Sequence, residues 1–383
     1  MQEARARVSE GATLQSAAQV VEHDLSYIAD RAGAELDALA GKRLLITGGA
    51  GFLGYYLVQT ALHRNQGVTP SNRVHVTVYD NYARGVPDWL QALDANEDLE
   101  LVVHDVREPL PENKDDFDFV VHAAGIASPT YYRQHPIETM DANVGGLRAL
   151  LEYARARGDR GTPLEGVLFF SSSEIYGDPP PAEIPTPETY RGNVSCTGPR
   201  ACYDESKRFG ETLCVNFARE FGVPVTMARP FNNYGPGLKV TDRRVIPDLA
   251  RDVLAGRDIV LLSDGSATRT FCYVADAVVG YYKVLVRGGA GEPYNIGVEE
   301  PEISMAQLAE RIAALGRELL GYSGEVVRRT SDDSEYLIDN PARRCPVIAK
   351  AREELGYEPE VALDDGLARS LVWYSEHREA ASA

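Results

Sequence analysis

Short apolar runs separated by glycine and polar turns set the rhythm of this chain from position 41 onward. Runs such as Leu44-Leu45-Ile46, Leu101-Val102-Val103, Phe119-Val120-Val121 and Val167-Leu168-Phe169-Phe170 are too short for helices and read as buried strands. Strands are predicted at 43–47, 74–79, 100–103, 118–122, 166–171 and 223–229. Apolar residues at helical spacing predict helices over 52–63, 86–94, 137–157 and 201–221 between them. Such alternation is the pattern of an α/β protein with a doubly wound parallel sheet. Beyond about position 230 loops rich in proline and glycine take over, and a helical tail is predicted near 364–378. The first 40 residues stand apart: Val21, Leu25, Ile28, Ala32, Leu36 and Leu39 recur at helical spacing among acids and alanines. We therefore divide the chain into a helical extension (1–40), a nucleotide-binding region (41–230) and a smaller α/β substrate-binding region (231–383) that partly crosses back to the sheet. The extension carries no chemistry and is expected to pack on the body or on a second subunit, with a regulatory arm as the alternative.

Composition narrows the function more than the fold. The 383 residues are 44% hydrophobic and 25% charged, an ordinary globular balance with ample core. A net charge of −18 argues against nucleic acid or an anionic membrane as partner. Five cysteines, at 196, 202, 214, 272 and 345, are odd in number and lack metal-ligand spacing, so reduced thiols in a cytoplasm are expected. The chain shows no apolar run of membrane-spanning length, and its N-terminus is too charged for a signal peptide.

Two constellations carry chemistry. The strand at 43–47 runs directly into Gly48-Gly49-Ala50-Gly51-Phe52-Leu53-Gly54 and then an apolar helix. Glycines 48, 51 and 54 permit a tight turn, close approach to a pyrophosphate, and a helix packed near the strand, with the helix N-terminus facing the phosphates. Asp80, ending the second strand, is placed to bond the adenosine ribose and to repel a 2′-phosphate, which favours NAD over NADP. The region is therefore Rossmann-type. His122-Ala123-Ala124-Gly125 follows the fourth strand, offering backbone and small side chains against the cofactor, with His122 itself a packed strand residue. The second constellation is Tyr203 and Lys207, one helical turn apart on one face, with Ser172 at the end of the fifth strand. The ammonium is expected to lower the phenol's pKa, making it a base that takes an alcohol's proton while the carbon loses hydride to a nicotinamide.

With these residues in hand, the chain resembles an extended short-chain dehydrogenase/reductase acting on a nucleotide sugar, and within that superfamily most resembles the UDP-glucuronate decarboxylases (UDP-xylose synthases). The resemblance spans about Lys42 to His377 and rests on Gly198 to Arg208, Ala127-Ser128-Pro129, Arg229 to Pro236, Arg269 to Asp276 and Pro341 to Pro346. The motif after the fifth strand is Ser172-Ser173-Glu174. Dehydratases of the superfamily carry an aspartate where Ser173 stands, and epimerases usually lack the glutamate, whereas decarboxylases carry Thr-Ser-Glu.

The resemblance implies oxidation of UDP-glucuronate at C4, loss of carbon dioxide, and reduction to UDP-xylose with NAD regenerated and no metal required. It places Glu174 and Arg269 beside the substrate carboxylate and Tyr132 against the sugar. Asn232, Arg244, Arg343 and Arg344 fall to the diphosphate and ribose, while Asn81, Asp105, Val106 and Asn143 join the cofactor set. It further implies a homodimer built on the helices at 137–157 and 201–221. Departures from the family pattern are Ser172 for threonine, which raises release of a 4-keto-pentose, Arg243 for glycine, Cys345 for a charged residue and Val347 for aspartate. A 4-epimerase, a 4,6-dehydratase and a non-catalytic NAD-binding subunit remain as alternatives.

Overall fold

The computed structural model describes residues 16–111, 116–329 and 341–377; residues 1–15 of the extension, the end of the tail and parts of the C-terminal region lie outside them. Seven parallel strands form the central sheet: β1 (Arg43–Thr47), β2 (His75–Asp80), β3 (Leu99–Val103), β4 (Phe119–His122), β5 (Gly166–Phe170), β6 (Val225–Pro230) and β7 (Pro293–Ile296). Their order is β7-β6-β5-β4-β1-β2-β3. The order reverses at β1, which pairs with both β2 and β4, so the C-terminal ends of β1 and β4 open a crevice where such sheets bind ligands. Inside β1 the pleat splits the core in two. Leu44 and Ile46 pack toward α2 (Phe52–Arg64), whereas Leu45 packs toward α3 (Leu147–Asp159) and α4 (Ala201–Phe221) on the other face.

The strand at 43–47 and the helix at 201–221 form where the pattern predicts them. Two helices differ. The segment at 86–94 makes only one helical turn, Asp88–Gln91: Pro87 cannot donate a helical N–H, and Asn96, accepting the Asp98 N–H at 2.9 Å, turns the chain into β3. The helix expected over 137–157 begins at Pro136–Met140, passes through a π-helical turn at Asp141–Gly146 and continues as α3. At Gly146 a Cβ would stand 3.0 Å from the Val106 side chain, so the wide turn lets the helix slip past the loop after β3.

The extension packs on the body. Its helix α1 (Ala17–Arg31), capped by the Ser16 hydroxyl, buries Leu25 and Ile28 and sends Asp24 into the interior. There Asp24 accepts hydrogen bonds from Tyr56 on α2 (2.5 Å), Tyr273 (2.6 Å) and Arg369 (2.9 Å) on the C-terminal helix Leu363–Glu376. Past β6, the short strand Thr268–Arg269 lies between Ile303–Ser304 and Arg343–Arg344, with Arg344 in register with Arg269. That ribbon carries two arginines from far apart in sequence to the open end of the sheet. None of the described helices is long and apolar enough to cross a membrane.

Candidate active site

The glycine turn after β1 forms a cradle. Gly48 has φ +72°, and a Cβ there would meet the Ala124 backbone at 2.5 Å, so the β1 and β4 ends touch only because both residues are small. A Cβ on Gly54 would lie 2.1 Å from the Gly49 carbonyl, which explains how α2 starts so close to the strand. Gly51, before Phe52 and Leu53 of α2, gives no side-chain cap, leaving the first N–H groups directed at the crevice. Asp80 at the end of β2 accepts the N–H of Ala50 (3.1 Å) and of Tyr82 (2.9 Å), and burial raises its pKa. Asn143, in the π-helical turn, donates to the Ser206 hydroxyl at 2.9 Å while its Oδ1 is buried without a partner beside Gly125. A helix end without a side-chain cap, a carboxylate at the end of β2 and an orphaned amide oxygen fit a dinucleotide such as NAD. Asn81 donates to Asp105 (3.1 Å), which Arg107 also clamps through two bonds, holding that carboxyl well below its usual range. His122 is buried against Thr47 (2.8 Å) and burial lowers it to about 3, so it is a neutral strand residue.

Ser172, Tyr203 and Lys207 come together as the spacing predicts. Ser172 caps the turn after β5, accepting the Glu174 N–H at 3.2 Å, and its hydroxyl lies close enough to the Tyr203 phenol to favour the ionised form. Ser173 is buried as the first residue of that turn. The pKa expectation is corrected. Lys207 donates to the Phe170 carbonyl at 2.8 Å instead of meeting the phenol directly. Burial lowers Lys207 to about 7 and raises Tyr203 to about 12, each shift opposing the charged form. Tyr132 stacks on Tyr203, with centroids 5.0 Å apart and planes 10° apart, and its own hydroxyl is buried without a partner.

Around Glu174 lies the site's densest charge. Arg344 donates to its carboxylate at 2.6 Å and Arg200 makes an ion pair with it. These guanidiniums, with Arg269 nearby, outweigh the burial penalty and hold Glu174 ionised, lowered to about 2. Arg269 donates to the carbonyls of Thr268 (2.7 Å), Ala342 (3.2 Å) and Pro341 (2.5 Å), and burial lowers it to about 9. Arg344, assigned above to the nucleotide, thus sits beside Glu174, with Asn232 as its other neighbour at 3.4 Å. Arg343 faces away, held by two bonds to Glu302 (2.9 and 2.6 Å) at the edge of a cavity of about 620 Å³ lined by Ser263, Asp264 and Thr268. Arg244 pairs with Asp242 at 2.8 Å and lies 5.9 Å over the Phe52 ring. Arg200 and Asp204 escaped the sequence reading. Their signal was an Arg–Asp pair at i, i+4 flanking Tyr203 in the segment Gly198 to Arg208.

Residues 44–297 match the family described as NAD dependent epimerase/dehydratase. The chain is 39% identical over 327 residues to UDP-glucuronic acid decarboxylase 5 of Arabidopsis thaliana, covering 85% of this chain and 87% of that protein. It is 37% identical over 343 residues to UDP-glucuronic acid decarboxylase 1 of Xenopus tropicalis, covering 88% and 73%. Among solved structures, the dTDP-glucose 4,6-dehydratase DesIV of Streptomyces venezuelae, solved with NAD and TYD bound, superposes with a TM-score of 0.74 at 28% identity, covering 88% and 98%.

Proposed function

The chain belongs to the NAD-dependent epimerase/dehydratase family, and from that membership and the geometry of the site we infer that it is a UDP-glucuronate decarboxylase producing UDP-xylose. The observation that carries the reading is the arginine-rich pocket around Glu174, two residues past Ser172 and acting on the Tyr203 phenol across the fold. A hexose ring offering its C4 hydroxyl to Tyr203 carries C6 on the adjacent ring carbon, so the C6 group falls near Tyr203, where arginines gather around Glu174. Where a dehydratase needs a proton donor for a departing hydroxyl, this chain has Ser173, which supplies none at neutral pH.

NAD, held by the glycine turn at 48–54, Asp80 and Asn143, would supply the hydride acceptor for C4, the donor back to it, and a positive charge that favours an ionised phenol. Tyr203 takes the proton of the C4 hydroxyl and Ser172 steadies that oxygen. The resulting 4-ketone is β to the C6 carboxylate. When the C5–C6 bond breaks, its electron pair enters the enolate at C4 and neutral carbon dioxide leaves. Arg344 and Arg269 orient the carboxylate, while ionised Glu174 disfavours its negative charge. After C5 regains a proton, Tyr203 returns its proton to the C4 oxygen as the alcohol is restored.

A homodimer through α3 and α4 fits the same reading. Phe209 (49% exposed), Phe221 (37%) and, on the preceding helix, Ile137 (60%) leave apolar surface open along these elements. Five unpaired thiols suit a reducing compartment such as the cytoplasm.

Incubation with UDP-glucuronate and NAD, followed by mass spectrometry and NADH absorbance, tests the activity. Carbon dioxide and UDP-pentose are expected, and Tyr203→Phe should slow their release by about 10²–10⁴-fold. Some 4-keto-pentose with NADH would mark a leak traceable to Ser172. An isomer of unchanged mass would make the enzyme an epimerase, and carbon dioxide release at the parental rate in Tyr203→Phe would sink the mechanism.

A further inference from the structure

Arg200 occupies a position where electrostatics opposes it. It is the residue immediately before α4, and its carbonyl accepts the N–H groups of Tyr203 (3.0 Å) and Asp204 (3.1 Å). A cation at a helix N-terminus faces the positive end of the helix dipole, so an arginine placed here for stability alone would be a poor choice. It is also only 8% exposed. What holds it are two carboxylates: Glu174, with which it is ion-paired, and Asp204, whose Oδ2 lies 3.6 Å from its Nε. Its guanidinium also stands 5.9 Å from the centre of the Tyr132 ring, which in turn stacks on Tyr203.

Two lines therefore leave one side chain. The first runs through Glu174 to the end of the pocket shared with Arg344 and Arg269; the second runs through Tyr132 to the phenol.

We propose that Arg200 is a positioning residue, which keeps Glu174 ionised and holds the Tyr132 ring on Tyr203, so that one side chain aligns the carboxylate end of the sugar with its C4 oxygen. This rests on the decarboxylase reading for its kinetic consequences but not for its electrostatic ones. Glu174 is faced by Arg200, Arg344, Arg269, Asp204, Tyr132 and Tyr203. Removing Arg200 leaves it Arg344 and Arg269, and the desolvation that arginine pairing had overcome drives its carboxyl upward. Asp204, already raised to about 7 by burial and by Glu174, loses its arginine as well.

The test compares Arg200→Gln and Arg200→Lys with the parent. For carbon dioxide release, the acid limb of kcat against pH should move upward in Arg200→Gln, giving a loss of roughly 10²-fold near pH 6 but about tenfold or less near pH 8.5. Lysine, which restores the charge but not the planar fork, should bring the acid limb back toward the parent while leaving part of the loss in kcat. A purely structural arginine predicts the same loss at every pH, and that result, or a lysine variant as impaired as glutamine, would overturn the proposal. A second readout needs no substrate. In the parent, Glu174 is depressed below its unfolded value, so its stabilisation is complete above about pH 4.5 and is lost only as pH falls toward 2. In Arg200→Gln the carboxyls of Glu174 and Asp204 are raised, so the variant should lose stability relative to the parent as pH rises from about 5.5 to 8. Denaturation midpoints that stay parallel over that range would overturn the proposal even if the parent released no carbon dioxide, whereas that absence alone would defeat only the decarboxylase reading. Should Arg200→Gln fail to fold, Asp204→Asn decides: it removes a like charge near Glu174 at constant size, so the acid limb should stay or fall, and a rise contradicts the scheme.

Discussion

At the scale of single residues, Arg243 shows a departure in sequence becoming a measurable strain. The family pattern has glycine there, and the structure gives Arg243 a φ of +66°, where a Cβ crowds the following carbonyl. Its side chain is exposed in the loop that delivers Arg244 to Asp242 and Phe52. Left-handed backbone costs an L-residue about 1–2 kcal/mol, and glycine gives back part of that gain through its freer unfolded chain. Arg243→Gly should therefore raise the unfolding free energy by about 0.5–1 kcal/mol, read from denaturant midpoints at unchanged slope. Tyr203 and Lys207 make the complementary point. Their spacing placed them side by side, but spacing says nothing about water, and it is burial that sets their ionisation. The same gap hid Arg200: one residue before a helix it reads as an exposed loop arginine, and only the folded chain brings Glu174 from 26 positions upstream onto it.

Elements were legible where one local signal sufficed. The run Arg43 to Thr47 followed by glycines, and the amphipathic stretch at 201–221, form as expected because pattern, propensity and turn residues agree. The π-helical turn before α3 was not legible, because it packs against Val106, a residue from a distant loop whose side chain a Cβ on Gly146 would meet at 3.0 Å. The extension sits between these cases. Its helical period was plain, but its docking was not, although Asp24 offered a hint by falling on the apolar face between Val20 and Leu25. Docked, Asp24 is fully buried and takes bonds from Tyr56, Tyr273 and Arg369, tying the extension to the helix behind the glycine cradle and to the last helix. Asp24→Ala would strand two phenols and a guanidinium in the interior. We expect a loss of about 3–5 kcal/mol in unfolding free energy, the range for breaking a buried charged network on one side. A loss below about 1 kcal/mol would mean that the helix is a dispensable cover.

At the scale of the whole molecule, association must work against charge. Each chain carries −18, so two copies repel one another through dilute salt, while the surface proposed to join them is apolar and short-ranged. Arg148 stacks on Phe217 (5.1 Å) and Arg155 on Phe221 (4.1 Å), lending that surface local cations amid the acidic whole. The two forces respond oppositely to ionic strength. Salt of about 0.5 M shortens the Debye length to roughly 4 Å and removes most of the long-range repulsion, while leaving apolar burial intact. A dimer held through Phe209, Phe221 and Ile137 should therefore tighten as salt rises, and sedimentation velocity should find a larger monomer fraction at 0.05 than at 0.5 M NaCl. An association held by ion pairs across the face would weaken instead. Phe209→Glu adds charge and removes an exposed ring without touching Tyr203, two turns earlier on the same helix. It should yield monomer at both salt concentrations, and a dimer that survives it would place the interface on another face.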